Sequence, residues 1–169
     1  DIKEGENRVI ATPGEVATLI GDGNVVKVQK GAGARAGFED EAYAAAGATL
    51  VDTAEEIYGT CEFVAKVKEF EPSEYGMLRE GLIVFTCIHP AAHPEEVQVL
   101  LDKKVTAFTA EDSHRYGSPN CEAAGKQGAL FGLESMLTIN GGKGKFVSGL
   151  GGAPGMKVLI LGGGVVGQA

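Results

Sequence analysis

The chain reads as an α/β protein built on parallel sheet, and three observations predict this. Short apolar runs alternate with capped amphipathic stretches along most of the 169 residues, the pattern of repeated β-α units. Glycine, at 26 residues, is about twice its average usage and crowds into 141–167. The last segment, Lys157-Val-Leu-Ile-Leu-Gly-Gly-Gly-Val-Val-Gly-Gln-Ala169, is an apolar run feeding a glycine turn.

Thr12-Pro13-Gly14-Glu15 is a capping box with proline at the first helical position, and Val16, Leu19 and Ile20 supply the apolar stripe behind it. Asn24 to Gln29 then reads as a strand, followed by a Gly31–Gly37 loop. Glu39 to Ala46 suits a short helix and Ala48 to Val51 a strand. A second capping box, Thr53-Ala-Glu-Glu56, opens another short helix. Phe63 to Lys68 and Leu82 to Ile88 read as strands, the second rich in β-branched and aromatic residues. Pro94 to Leu101 suits a helix with Val97, Leu100 and Leu101 on one face, and Val105 to Phe108 a strand.

The longest helical pattern runs from Glu122 to about Thr138. Gly125, Gly128 and Gly132 share one face of it. Each glycine costs roughly 1 kcal/mol against alanine in a helix interior, so the stripe implies close approach of another backbone. Val158 to Leu161 suits a strand buried on both faces. The junction between two lobes is expected near 115–125, giving lobes of 1–120 and 121–169 with the glycine-striped helix as the bridge.

A formal net charge of −8 argues against nucleic acid as a partner, since holding phosphates requires a basic face. No apolar run approaches the roughly 18 residues of a membrane helix. Cys61, Cys87 and Cys121 are odd in number, widely spaced and lack a Cys-x-x-Cys pair. That usage fits a reducing compartment and a cytoplasmic protein. His89 and His93 lie four apart, but Pro90 and Pro94 argue against one continuous helix across them, so no metal site is expected.

Gly162, Gly164 and Gly167 fit G-x-G-x-x-G immediately after the last apolar run. In a dinucleotide-binding unit the first glycine makes the tight turn. The second lets backbone approach a pyrophosphate, and the third lets the following helix pack on the strand. Neither 140–144 nor 149–155 is a Walker A loop, because no Gly-Lys is followed by Ser or Thr at the required spacing.

Ligands of open α/β sheets bind at the C-terminal ends of strands. Three groups lie at such ends or in an early loop: Arg8, Lys68 and His89. His89 closes its strand ahead of Pro90 and reads either as a histidine satisfied by backbone or as a general acid/base. Lys66 and Lys68 end the strand Phe63-Val-Ala-Lys-Val-Lys68 and point to the same face by its period of two. They read as a solvated pair or as a cation for a substrate carboxylate or carbonyl. Arg8 is suited to a bidentate grip on a carboxylate, although an arginine near a helix start is usually a surface charge.

These segments resemble the alanine dehydrogenase / pyridine nucleotide transhydrogenase N-terminal family, and alanine dehydrogenase in particular. The resemblance rests on Glu6-Asn-Arg-Val9 with Thr12-Pro13, Val64-Ala-Lys-Val-Lys-Glu69, Glu74-Tyr75 and Phe85-Thr-Cys-Ile-His-Pro-Ala-Ala92, in the same order and at similar spacing. Gly31-Ala-Gly33, Ala45-Ala-Gly-Ala48, Gly141-Gly-Lys-Gly144, Gly151-Gly-Ala-Pro-Gly155 and the final glycine turn continue it. The family carries an apolar strand ahead of the position of Asp1 and about as many residues again after that of Ala169. The resemblance implies a flavodoxin-like or Rossmann-like substrate lobe followed by the start of a Rossmann NAD-binding lobe.

Carried over by position, the carboxylate-binding arginine is Arg8, the substrate lysine Lys68 and the catalytic histidine His89. The implied cofactor is NAD, with Gly162, Gly164, Gly167 and Cys121 on its side of the site. The residue that would decide between NAD and NADP follows the second nucleotide-binding strand. The implied reaction is reversible oxidative deamination of L-alanine to pyruvate and ammonium by a cytoplasmic homohexamer. A catalytic aspartate of the second lobe would complete it, so this segment alone is expected to be inactive.

Cys87, Pro90, Cys121 and the run Ala110-Glu111-Asp112 depart from the family pattern. The last three point to a different amino acid substrate or a divergent subfamily, with Glu111 either a supporting carboxylate or a surface acid. The alternative within the resemblance is the NAD(H)-binding alpha subunit of proton-translocating transhydrogenase. His89 and the Lys68-Glu69 pair speak against it. A non-enzymatic binding or oligomerisation lobe is the third reading.

Overall fold

The computed structural model describes residues 2–111 and 119–169. Asp112 and positions 115–118 of the expected lobe junction lie outside the described residues. The chain divides into two compact units, Asp1–Ala110 and Glu111–Ala169.

The first unit is α/β with all its strand pairs parallel. Helix α1 (Pro13–Gly21) starts as the capping box requires: the Thr12 amide donates to Glu15 Oε2 at 2.7 Å, and Val16 is buried behind it. Strand β1 (Lys27–Gln29) starts later than expected because Asn24 ends the helix. Both the backbone and the side-chain nitrogen of Asn24 donate to the Leu19 carbonyl, at 3.2 and 2.9 Å. Helix α2 (Asp40–Ala45) leads to strand β2 (Thr49–Val51), which pairs with β1 with Lys27 opposite Thr49. Gly33 makes room between them, since a Cβ there would sit 2.6 Å from the Phe38 carbonyl oxygen and from the Tyr43 ring.

Helix α3 (Ala54–Thr60) is capped by Thr53, whose Oγ1 accepts the Glu56 amide at 3.3 Å. Strands β3 (Phe63–Ala65), β4 (Ile83–Thr86) and β5 (Thr106–Thr109) form a second sheet in the order β3-β4-β5. Helix α4 (Pro94–Asp102) connects β4 to β5. Tyr58, Val64, Phe70, Leu78, Leu82, Val84, Ile88 and Leu100 make the core against this sheet. Full burial of such a side chain contributes roughly 1.5–3 kcal/mol, so the β3-β4-β5 layer is the stable platform of the unit. The β1-β2 pair is a separate two-stranded sheet. Residues of β1 and β3 line a common cavity of about 900 Å³ instead of pairing with each other.

In the second unit, helix α5 (Pro119–Ser135) is followed by a short 3-10 turn, a glycine-rich loop and helix α6 (Val165–Gln168). The close approach expected of the glycine stripe occurs at Gly125 only. A Cβ there would meet the Val166 carbonyl oxygen at 2.3 Å, whereas the space beside Gly128 and Gly132 is open among the described residues. The expected buried strand at 158–161 is not formed. Val158 is 67% and Leu161 88% exposed, and no described strand pairs with the segment. An apolar run becomes a strand only when neighbours take its backbone hydrogen bonds and cover its side chains.

Candidate active site

Strand β3 ends at Ala65, and the period-two alternation ends with it. Lys66 turns into the core instead of sharing a face with Lys68. Its Nζ donates to Glu74 Oε2 at 2.5 Å and to the Glu69 carbonyl at 3.0 Å, and lies 5.1 Å from the centre of the Phe70 ring. Glu74 also accepts the Tyr58 hydroxyl at 2.8 Å and the Glu71 amide at 2.8 Å. Burial, together with the Glu74 charge, pushes the Tyr58 phenol well above its usual range.

Lys68, two residues on, stays at the surface of the same loop with its side chain 28% exposed. Its carbonyl accepts the Thr86 hydroxyl at 2.6 Å, which fastens the loop to the end of β4. Beyond β4, Cys87 and Ile88 are buried and His89 emerges. His89 has φ +49°, a left-handed conformation uncommon for a residue with a side chain. Its carbonyl accepts the Ala92 and His93 amides at 2.8 and 3.2 Å, closing the turn that leads into α4.

Glu69 joins these elements. Its side chain is 7% exposed, and its Oε2 lies 3.8 Å from Lys68 Nζ and 3.7 Å from His89 Nδ1. Its Oε1 bonds to the Lys3 ammonium and lies 4.0 Å from His93 Nε2. The sequence reading used Glu69, paired with Lys68, only to separate two branches of the family resemblance and gave it no role in the site. Its place directly after Lys68 does not reveal that a carboxylate there reaches the end of the next strand.

Arg8 forks onto Glu6, with Nε to Oε1 at 2.8 Å and Nη2 to Oε2 at 2.5 Å. This hydrogen bonding is the main reason the Glu6 carboxyl falls to about 2, with a smaller contribution from the nearby Lys68 charge. The same fork holds the Arg8 guanidinium more firmly charged, with a lesser effect from Cys87. Arg8 also lines the cavity between β1 and β3, whereas Lys68 and His89 do not. The polar site is therefore at the rim formed by the loops after β3 and β4, not in that apolar cavity.

In the second unit the glycine turn has defined geometry. Gly162 has φ +109°, and a Cβ on Gly167 would lie 1.9 Å from the Gly162 carbonyl oxygen. Gly164 precedes α6 with open space around it. Gly162 thus sits in the left-handed region and Gly167 has no room for a Cβ, while Gly164 carries neither constraint. Cys121 is a free, partly buried thiol in the first turn of α5. Among the described residues no cluster of three or more His, Cys, Asp or Glu side chains could hold a metal ion, and no helix is long and apolar enough to cross a membrane.

Residues 1–120 match the family model described as alanine dehydrogenase/PNT, N-terminal domain. Over 172 residues the chain is 44% identical to an alanine dehydrogenase of Bacillus subtilis strain 168, covering 99% of this chain and 45% of that protein. It is 39% identical over 173 residues to an alanine dehydrogenase of Methanococcus maripaludis, covering 99% and 46%. The chain thus spans about half the length of the curated relatives it matches. Among solved structures, an L-alanine dehydrogenase superposes with a TM-score of 0.88 at 36% identity, covering 99% of this chain and 48% of the other. A transhydrogenase from Sinorhizobium meliloti shares the fold, with a TM-score of 0.71 at 23% identity, over 80% of this chain and 43% of that one.

Proposed function

The chain belongs to the alanine dehydrogenase/PNT family, and on that footing we propose that it is the substrate-handling part of an NAD-dependent oxidoreductase. The reaction is reversible oxidative deamination of L-alanine to pyruvate and ammonium. The observation that carries this reading is the meeting of Lys68 and His89, from two different strand ends, at 3.8 and 3.7 Å from one buried carboxylate oxygen of Glu69.

Each side chain has a role its chemistry suits. Arg8 already grips a carboxylate through two nitrogens, and a substrate carboxylate presents the same pair of oxygens as Glu6. Lys68 supplies a compact positive charge for the carboxyl or carbonyl oxygen. His89, 42% exposed at its side chain, takes and returns protons as ammonia adds to the carbonyl and water leaves. The chemistry NAD would supply when bound is that of a hydride acceptor. Gly162, Gly164 and Gly167 would hold its pyrophosphate, with Cys121 on the same side of the site. The working division is a substrate lobe of 1–120 and the beginning of a nucleotide lobe at 121–169. The assembly in this reading is a cytoplasmic homohexamer.

The test is a spectrophotometric assay of the full gene product carrying this chain, following NADH with L-alanine, L-serine and the corresponding 2-oxoacids. NADH formation with L-alanine supports the proposal. Hydride exchange between two nicotinamides without turnover of any amino acid would replace it with the transhydrogenase reading.

A further inference from the structure

We infer that Glu69 is a positioning residue of this site, holding the His89 imidazole with Nδ1–H toward the carboxylate and keeping Lys68 beside it. The inference rests on the proposed role of His89 and extends it to a residue that neither sequence pattern nor comparison assigns.

The argument begins from burial. A carboxylate with 7% exposure has lost most of its hydration and requires compensating charge or hydrogen bonds. Oε1 has such a partner in the Lys3 ammonium. Oε2 is buried and has no hydrogen-bond partner among the described residues. A buried, unsatisfied carboxylate oxygen is costly, and the two residues the reaction needs stand beside it, Lys68 Nζ at 3.8 Å and His89 Nδ1 at 3.7 Å. Both stand less than 1 Å beyond hydrogen-bond reach, a gap that a small side-chain rotation closes. The other buried acids of the unit face elsewhere: Glu74 meets Lys66 and Tyr58, and Glu96 accepts the Phe70 amide on Oε1 at 3.3 Å while its own Oε2 also has no hydrogen-bond partner among the described residues.

The consequence for His89 follows from the two ring nitrogens being distinct. When Nδ1 donates to a carboxylate, the neutral ring presents its lone pair at Nε2. Proton exchange with substrate then occurs at Nε2, the end of the ring away from Glu69. The left-handed backbone at His89 supports this placement. It fixes where the side chain leaves the strand end, and the buried carboxylate then fixes the ring's rotation.

Two measurements on the full gene product test the inference. Magic-angle-spinning NMR of histidine-labelled protein, with the His89 signals assigned through His89→Gln, is expected to show neutral His89 as the Nδ1–H tautomer. Finding the Nε2–H tautomer would overturn the inference, whatever the enzyme's substrate. In kinetics, Glu69→Gln is expected to lower kcat at least about tenfold, the lower bound for losing a carboxylate that orients a functional histidine, while KM for L-alanine changes much less. Glu69→Asp, which keeps the charge, should recover part of that loss. An unchanged kcat in Glu69→Gln, in a preparation whose His89→Gln variant is impaired, removes Glu69 from the mechanism and leaves the reading of His89 intact. If the wild-type protein does not turn over L-alanine, the proposed function fails, and the tautomer alone decides the role of Glu69.

Discussion

The Thr86 hydroxyl, in a fully buried residue of β4, donates a hydrogen bond to the carbonyl oxygen of Lys68 at 2.6 Å. This contact holds the loop after β3 against the end of β4, so that Lys68 and His89 leave the sheet side by side. Thr86→Val keeps the shape and removes the donor, leaving a carbonyl unsatisfied at the edge of the core. The expected loss is about 1–3 kcal/mol by urea unfolding. An unchanged midpoint would show that the loop is held by other contacts.

His89 separates two costs that are usually mixed. His89→Gln is expected to lower kcat at least about 10²-fold with little change in KM, as loss of general acid/base help does. His89→Gly should lose the same activity yet raise Tm, because a left-handed conformation costs a residue with a Cβ roughly 1–2 kcal/mol. Equal turnover per folded molecule in wild type and His89→Gln would assign His89 a structural role.

The Glu6–Arg8 pair predicts an acid limb. The Glu6 carboxyl is held below its ordinary 4.5, at about 2, first by the Arg8 hydrogen bond. A depressed folded-state value means the stabilisation is fully present above 4.5 and is lost as pH falls through about 2. The Tm difference between wild type and Glu6→Gln should therefore be constant above pH 5 and shrink steadily below 4.5. A difference independent of pH down to 3 would mean the pair does not contribute through its charge.

Glu96 predicts the opposite sign. It is 1% exposed, and burial pushes its carboxyl above the ordinary value. The protonated form suits the folded state, so its contribution is intact below 4.5 and is lost as pH rises through the elevated folded value. Relative to wild type, Glu96→Gln should become progressively more stable as pH increases from 4.5, read as Tm against pH. A relative Tm that falls over that range would show that ionised Glu96 is stabilised by its neighbours.

Two glycines of α5 should respond oppositely to the same substitution. Gly125→Ala places a Cβ 2.3 Å from the Val166 carbonyl oxygen and must push α6 away. Gly128→Ala enters open space and should stabilise the helix by about 1 kcal/mol. Calorimetry of the two variants in the full gene product checks the pair. Similar Tm values would show that α6 yields without cost.

The alternation of strands and helices and both N-terminal caps were legible because they depend on local rules. Thr12 with Glu15 and Thr53 with Glu56 announce helices through contacts three residues apart. The pairing of β1 with β2 apart from β3-β4-β5 was not legible, because partner choice between strands is not written in either strand alone. Lys66 was misread for a related reason. Its direction is set by Glu74, eight residues on, after the strand that would have imposed alternation has ended. Glu69 and Val158–Leu161 show the remaining limit, since burial depends on what lies opposite, not on the residue itself.

The divergence of Lys66 and Lys68 has a consequence for labelling chemistry. An amine-directed acylating reagent requires an accessible nitrogen, and the Lys66 ammonium is sealed between Glu74, the Glu69 carbonyl and the Phe70 ring. Lys68 is open enough to be trapped. Within Lys66-Val67-Lys68 the fold thus supplies a lysine open to the reagent and one shielded from it. Mass-spectrometric footprinting can read occupancy of this rim as the yield at Lys68, with any label at Lys66 reporting unfolded protein.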